Sequence, residues 1–279
     1  MRLIKSHVEI WEQEPGVDGM FRQIERVGRV CFKSEDKIGP GTAEKFVGML
    51  KKAEHNKALE QGTVYLETDQ DFYKTNPYTV VREGKYVTTN YRVLLENNRL
   101  ADLDLWSYSE GHHEKRITAH FICDRGVSAE LNRHTTNSAM EMSTRYCNFS
   151  RSKFSESIGV IVPSDIDPSL SNFSSPDYDV SVMYSSLSRG DGNSWSVVDW
   201  WFFANLSCEI AYMNLIRLGW KPQQARRVLP LDLQTELCHT TTVSGWKHFF
   251  DLRCDKIHAH PDMYILATEL YDKMSVMWR

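Results

Sequence analysis

The sequence predicts a mixed α/β (α+β) fold, built as a single domain over residues 1–279. Three observations predict it. Arg116–Cys123 alternates, with Ile117, Ala119 and Phe121 on one side, as a half-buried strand does. Thr79–Arg82 and Lys85–Thr89 flank Glu83-Gly84 like the arms of a hairpin. The C-terminal third has helical periodicity. Strands early and helices late, with no linker and no internal repeat, give one mixed core.

The elements follow in order. Residues 18–32 place Met20, Phe21, Ile24, Val27 and Cys31 on one helical face. Residues 42–54 repeat the pattern with Phe46, Val47 and Leu50, and Thr42 is the expected N-cap. Thr63–Thr68 is rich in strand formers. Residues 126–137 read as a short helix carrying Glu130, Arg133 and His134. The Ser, Asp, Pro and Gly content of 151–194 predicts loops, with short ordered pieces such as Ile158–Val162. The longest helix runs over 194–218, opens at Ser194 and closes at Gly219. It is apolar on more than one side, as a helix buried in a core or a subunit contact is. Pro222–Val228 forms a short helix stopped by Pro230, and helices at 243–254 and 261–276 complete the chain.

Composition excludes several classes. The formal net charge of −4 argues against a broad nucleic-acid-binding face, while a local arginine cluster still suits a small anion. No stretch has the roughly 18 apolar residues of a membrane span, and the first residues lack the apolar core of a signal peptide. A cytoplasmic protein is expected. The six cysteines have no C-x-x-C spacing, so reduced, packed thiols are expected. His258-Ala259-His260 lacks further ligands nearby, and no metal site is expected. His112-His113 sits in a polar loop and reads as solvated. Neither G-x-G-x-x-G nor a P-loop is present, which speaks against a Rossmann dinucleotide site or an NTPase.

Arginines carry the functional signal. Arg133, Arg145, Arg226, Arg227 and Arg253 lie in or beside apolar, ordered segments. An arginine so placed needs an anion, because an unpaired buried guanidinium is costly. Its fork matches phosphate and uracil-like edges. Carboxylate partners on half-exposed helices account for any one of them equally well. Ser138, Glu141, Ser143 and Tyr146 lie nearby and have the groups to read a ribose or a base edge. The residues alone reach an α/β protein with an arginine-lined anion site.

The run Arg133-His134-Thr135-Thr136-Asn137-Ser138-Ala139-Met140-Glu141-Met142-Ser143-Thr144-Arg145-Tyr146 resembles the signature of flavin-dependent thymidylate synthases. That signature opens Arg-His-Arg and closes Ser-x-Arg-Tyr at this spacing. Residues 29–38, 121–131, 145–154, 218–236 and 246–254 are similar to further blocks of the family, in the family's order. The resemblance implies an antiparallel-type sheet flanked by helices, and homotetramers with active sites where subunits meet. It implies reductive methylation of dUMP to dTMP, with FAD beside the nucleotide. NADPH is the reductant and 5,10-methylenetetrahydrofolate the carbon donor.

By the same resemblance Arg253 is the catalytic residue, set against the N3 and O2 edge of uracil. Arg145 and Ser143 bind the dUMP phosphate, with Arg226 arriving from a neighbouring subunit. Glu130 and Glu141 hold the nucleotide. Arg133 serves both nucleotide and FAD. His134, Thr135 and His248 fall at the FAD site. This chemistry uses no cysteine nucleophile, which leaves Cys147 a packing role.

The departures from the pattern cluster at the cofactor. Thr135 replaces the second arginine of the opening. Where the family has Gly-His-Glu-Ser and then Glu-His, this chain has Glu54-His55-Asn56-Lys57 and then Glu60-Gln61, so Lys57 stands for a serine that touches FAD. Thr242 and Ser244 replace an asparagine and an arginine that reach it. Each lost charge-assisted contact is worth about 1–3 kcal/mol. The resemblance therefore leaves two further possibilities. One is a homologue acting at C5 of a pyrimidine nucleotide, such as dUMP or dCMP hydroxymethylation, with weakened or lost FAD dependence. The other is a nucleotide-binding protein without turnover.

Overall fold

The computed structural model describes residues 1–172 and 180–276; part of the expected loop, residues 173–179, lies outside the described residues. In chain order the strands are β1 (Arg2–Ile4), β2 (His7–Trp11), β3 (Thr63–Glu67), β4 (Val80–Arg82), β5 (Tyr86–Asn90), β6 (Arg116–Cys123), β7 (Ser138–Glu141), β8 (Gly159–Ile161) and β9 (Thr235–Thr242). The first helices are α1 (Gly16–Val30), α2 (Thr42–Lys52), α3 (Asn56–Leu59), α4 (Asp71–Thr75), α5 (Tyr91–Glu96) and α6 (Arg125–Leu131). They are followed by α7 (Val180–Ser188), α8 (Val197–Arg217), α9 (Pro222–Ala225), α10 (Val243–Arg253) and α11 (Pro261–Ser275). The fold is mixed α/β, with antiparallel sheets and flanking helices.

The chain divides into two compact units. One comprises Met1–His7, Ile122–Glu130 and Ser143–Thr235; the other comprises Val8–Phe121, Leu131–Met142 and Glu236–Arg279.

The larger unit carries a four-stranded sheet in the order β2-β6-β9-β7 and a three-stranded antiparallel sheet in the order β3-β5-β4. The β4–β5 hairpin turns at Glu83 (φ 52°) and Gly84 (φ 74°), two left-handed residues as a tight hairpin needs. Met20 and Ile24 of α1 pack with Phe46, Val47 and Leu50 of α2 and with Leu59, Val64, Leu66, Val87 and Leu94. Gly62 permits that closeness, because a Cβ there would stand 2.6 Å from Ile24 Cδ1. The helix α10 is pinned to β6 by Trp246, whose ring is fully buried and whose indole N–H donates to the Ile117 carbonyl at 3.0 Å. Phe250 stacks beside Trp246 and meets Tyr271 of α11 edge-on. This apolar anchoring fixes where Arg253, in the last turn of α10, stands.

In the smaller unit β1 pairs with β8, and this pair is parallel. The helix α8 opens at Ser196 rather than Ser194. Ser196 and Asp199 form a reciprocal capping box, and buried Asp199 also accepts from Ser171 and Asn172. Met183, Val198, Phe202 and Leu206 form a core cluster there.

Other expectations shift for local reasons. The N-cap of α2 is Gly41 (φ 71°), and the Thr42 hydroxyl donates instead to Glu25. The helix expected to reach residue 137 ends at Leu131, because His134 N–H bonds back to the Leu131 carbonyl and Asn137 N–H to that of His134, folding 132–137 into turns. Pro222–Val228 splits into α9 and a 3₁₀ turn. The expected loops of 151–194 contain α7 as well as β8. His113 is buried, not solvated: Ser109 N–H donates to its Nδ1 at 3.0 Å, and its Nε2 lies 3.0 Å from the Leu66 carbonyl. Among the described residues no helix is long and apolar enough to cross a membrane.

Candidate active site

The signature run folds as a turn followed by a strand. In the larger unit β7 pairs antiparallel with β9, setting Ser138 against Thr240 and Ala139 against His239. The turn before β7 carries Arg133, His134 and Thr135, and α10 brings Phe249 and Arg253 to His134, with His248 near enough for its charge to act on that ring. His134 meets Phe249 edge-on, with ring centroids 5.0 Å apart. Its Nε2 accepts a hydrogen bond from Arg253 Nε at 3.0 Å. Burial first, then the positive charges of Arg253 and His248, push the His134 pKa down to about 4. The ring is therefore neutral near pH 7, with its proton on Nδ1 and its Nε2 lone pair on the guanidinium. Such a bond through Nε fixes the plane of the guanidinium fork, which a bare charge would not do. Arg133, Thr135 and His248 are exposed. Glu141, at the end of β7, accepts from Asn132 Nδ2 at 3.3 Å.

The remaining candidates lie in the smaller unit. Glu130 is half-buried near the end of α6. Ser143 opens a turn: its hydroxyl accepts from Arg145 N–H at 3.3 Å and its carbonyl from Cys147 N–H at 2.9 Å. Arg145 is exposed and lies over the Tyr146 ring. Arg226 is exposed too, and its Nη1 donates to Thr144 Oγ1 at 3.4 Å. The structure thus brings together two groups: His134, His248 and Arg253 in one unit, and Ser143, Arg145 and Arg226 in the other.

Sequence reading missed several buried polar groups. Arg116 begins β6, and its guanidinium donates to Ser138 Oγ at 3.0 Å, Thr63 Oγ1 at 3.3 Å and the Glu60 carbonyl at 3.2 Å. Burial pushes its pKa down to about 10. His239, fully buried, has its Nδ1 3.3 Å from Asn137 Nδ2, and burial holds its pKa to about 3. A ladder of buried polar side chains runs from Gln23 to Thr118 (2.9 Å), Thr240 (2.7 Å) and Gln61 (2.5 Å). No hydrophobic pattern marks any of these. The only signal was a polar residue opening an otherwise alternating strand.

Three positions that depart from the family's cofactor pattern, Lys57, Thr242 and Ser244, form contacts within the chain. Lys57 Nζ donates to Glu60 Oε2 at 2.7 Å, and Glu60 also pairs with Arg92. Thr242 is the N-cap of α10, accepting from Gly245 N–H at 3.0 Å. Ser244 gives both its N–H (2.9 Å) and its hydroxyl (2.8 Å) to buried Glu114, which Arg82 of the hairpin also pairs. A pyrophosphate needs donors, and Lys57 and Ser244 already give theirs to carboxylates of the chain, while Thr242 is taken up as a helix cap. The residues present do not fit the pyrophosphate of FAD. Among the described residues no group of three or more His, Cys, Asp or Glu is placed to hold a metal.

A family model described as thymidylate synthase complementing protein matches residues 104–277. No curated protein sequence matches the chain. Among solved structures, the chain is similar to the UMP/dUMP methylase PolB from Streptomyces cacaoi bound with 5-Br dUMP. The identity is 16%, 99% of this chain and 93% of that chain are covered, and the TM-score is 0.43.

Proposed function

The chain belongs to the family of thymidylate synthase complementing proteins, and from that footing we propose that it transfers a one-carbon unit to C5 of dUMP. The observation that carries the reading is the Arg253–His134 pair. Arg253, its plane fixed by a neutral acceptor, lies along the N3 and O2 edge of the uracil. There it favours the ionised ring, whose enolate-like charge makes C5 nucleophilic. Aiming a fixed cation at developing charge costs no reorganisation during the reaction. Arg145, Ser143 and Arg226 take the 5′-phosphate, Glu130 and Glu141 hold the nucleotide, and Arg133 reaches its edge. The assembly is a homotetramer, and Arg226 serves a neighbouring copy.

In this reading C5 attacks the methylene carbon of 5,10-methylenetetrahydrofolate, both carbon–nitrogen bonds of the bridge break in turn with a proton taken up at each folate nitrogen, and the C5 proton leaves. To end as methyl, and so as dTMP, the carbon must also gain a hydride. FAD reduced by NADPH supplies hydride when bound, but the residues present do not fit its pyrophosphate, and no step here is routed through it.

That misfit favours a second reading, in which water completes the reaction. The nucleotide, dUMP or dCMP, methylenetetrahydrofolate and water give the 5-hydroxymethyl nucleotide and tetrahydrofolate, with no net redox change. Incubation with the folate donor, with and without NADPH and flavin, separates the two by product mass: a gain of roughly 14 units for methyl and roughly 30 for hydroxymethyl. For either product, Arg253→Ala should cut turnover far more than it weakens dUMP binding. Equal losses in both would reduce Arg253 to a plain anchor, and no product with any cofactor mixture would sink the reading.

A further inference from the structure

A pocket of about 320 Å³ opens in the larger unit beside the signature turn. Thr135–Ser138 form one wall, and the other walls come from residues 57–97, which lie outside the stretch that the family model matches. Its charges are two and two. Glu60 accepts from Lys57 at 2.7 Å and pairs with Arg92; Arg92 donates in turn to Glu96 at 2.8 Å. Glu96 also accepts from Asn56 at 2.9 Å. Both cations of the pocket are thus held by its own carboxylates. Arg116 stands behind the wall, with donors on Ser138, Thr63 and the Glu60 carbonyl.

The uncharged lining has a different character. Asn90 is buried and its Oδ1 accepts from Val93 N–H to cap α5, which leaves its amide N–H₂ as a donor on the pocket wall. The Thr135 hydroxyl and further amides add donors and acceptors, and Tyr78 stands exposed at the mouth with a face to offer a ring. The volume is at the lower end for ligand pockets and suits one fused ring system.

We propose that this pocket takes an uncharged, hydrogen-bonding heteroaromatic ring and turns away ligands that carry a phosphate or pyrophosphate next to that ring. A phosphate here must either pull Lys57 and Arg92 off Glu60 and Glu96 or sit beside those carboxylates unpaired, and both are unfavourable in a partly desolvated site. The inference rests on the pocket, not on the C5 chemistry proposed above. Loss of that chemistry would leave the binding order below unchanged.

The test is a titration of the full chain with riboflavin, FMN and FAD, read by flavin fluorescence, and with adenosine and ADP, read by calorimetry. The flavin and adenosine arms tell which ring is taken. Riboflavin or adenosine should bind at least tenfold more tightly than FAD or ADP. Glu60→Gln/Glu96→Gln should tighten the phosphorylated ligands at least tenfold and leave the bare rings within twofold. Lys57→Gln changes an exposed residue and keeps the test informative should the double variant fold poorly. It should weaken FAD further and leave riboflavin unchanged. Wild-type protein preferring FAD to riboflavin, a ranking insensitive to these substitutions, or no ring bound at millimolar concentration would each overturn the proposal.

Discussion

Replacing His134 by leucine should separate turnover from binding. The substitution keeps an apolar group against Phe249 and removes the acceptor that Arg253 Nε meets at 3.0 Å. A hydrogen bond to a charged group is worth about 1.5–3 kcal/mol, so the fixed orientation it supplies corresponds to a loss of roughly 10- to 150-fold in kcat. The dUMP dissociation constant should change by less than about threefold, since the cation itself remains. His134→Gln offers a carbonyl acceptor and should recover part of the loss. Acid provides a second perturbation. The pKa of His134 lies at about 4 against an ordinary 6.5, a difference of about 2.5 units or roughly 3 kcal/mol against the protonated ring. The ring is half-exposed, and solvent screening brings this to about 1–2 kcal/mol. Because the folded value is depressed, the unfolded chain takes up the proton first. Stability contributed at this site is intact above pH 6.5 and is lost as pH falls towards 4. Turnover at low substrate, kcat/KM, should fall on acidification with a midpoint near 4, because an imidazolium cannot accept from Arg253. Single-turnover kinetics with mass detection, paired with calorimetry of dUMP binding, measures all of this. A leucine variant within threefold of the parent kcat, or equal losses in kcat and affinity, would refute the reasoning.

Three further outcomes are expected. Burial holds the pKa of His239 to about 3, so between pH 6.5 and 3 acidification should cost stability with a slope approaching about 1.4 kcal/mol per pH unit; His239→Leu should flatten the urea-unfolding profile over that window, and an unchanged slope would count against the assignment. Glu114→Ala removes a buried carboxylate that holds Arg82 and the first turn of α10, and should lower unfolding free energy by about 2–4 kcal/mol in denaturant titration; a loss under about 0.5 kcal/mol would contradict it. Gly62→Ala drives a methyl to 2.6 Å from Ile24 Cδ1 and should destabilise by about 1–3 kcal/mol, so a neutral result would show that α1 yields there.

The parts of the fold that were legible in sequence are those where one-dimensional pattern and tertiary packing agree. The Glu83-Gly84 turn and the apolar stripe of α1 are such places, and alternation located the strand Arg116–Cys123, although Ile117–Cys123 is buried on both faces rather than half-buried because Thr118 and His120 find polar partners inside. The strand β9 was invisible for a physical reason. Thr235–Thr242 is almost wholly buried, yet its interior contacts are polar: Thr240 is satisfied by Thr118 and Gln61, and Glu236 by Lys33 and His120. Hydrophobic periodicity cannot register a strand whose partners are hydroxyls and ions from distant segments. The site divides in the same way. Resemblance named His134 and Arg253 separately, but their hydrogen bond spans 119 positions and depends on where Trp246 docks α10. Arg116 carried no motif at all, and its meaning lies in Ser138 and Glu60, which only folding brings to it.

The helix α10 explains how cofactor positions can change while the Arg253 end stays intact. Its 11 residues span about 16 Å, with Thr242 and Ser244 at one end and Arg253 at the other. The N-terminal end carries the partial positive charge that would welcome a pyrophosphate. Here Glu114 already occupies that role, bonding both the Ser244 amide and its hydroxyl, and Arg82 of the hairpin closes over Glu114 in turn. An anionic ligand arriving there would have to displace a buried carboxylate that belongs to the chain. The same contacts hold the first turn of the helix rigid, Trp246 holds the middle, and His134 holds the last side chain. The self-bonded N-terminal turn and the oriented guanidinium of Arg253 follow from one helix fastened at three points.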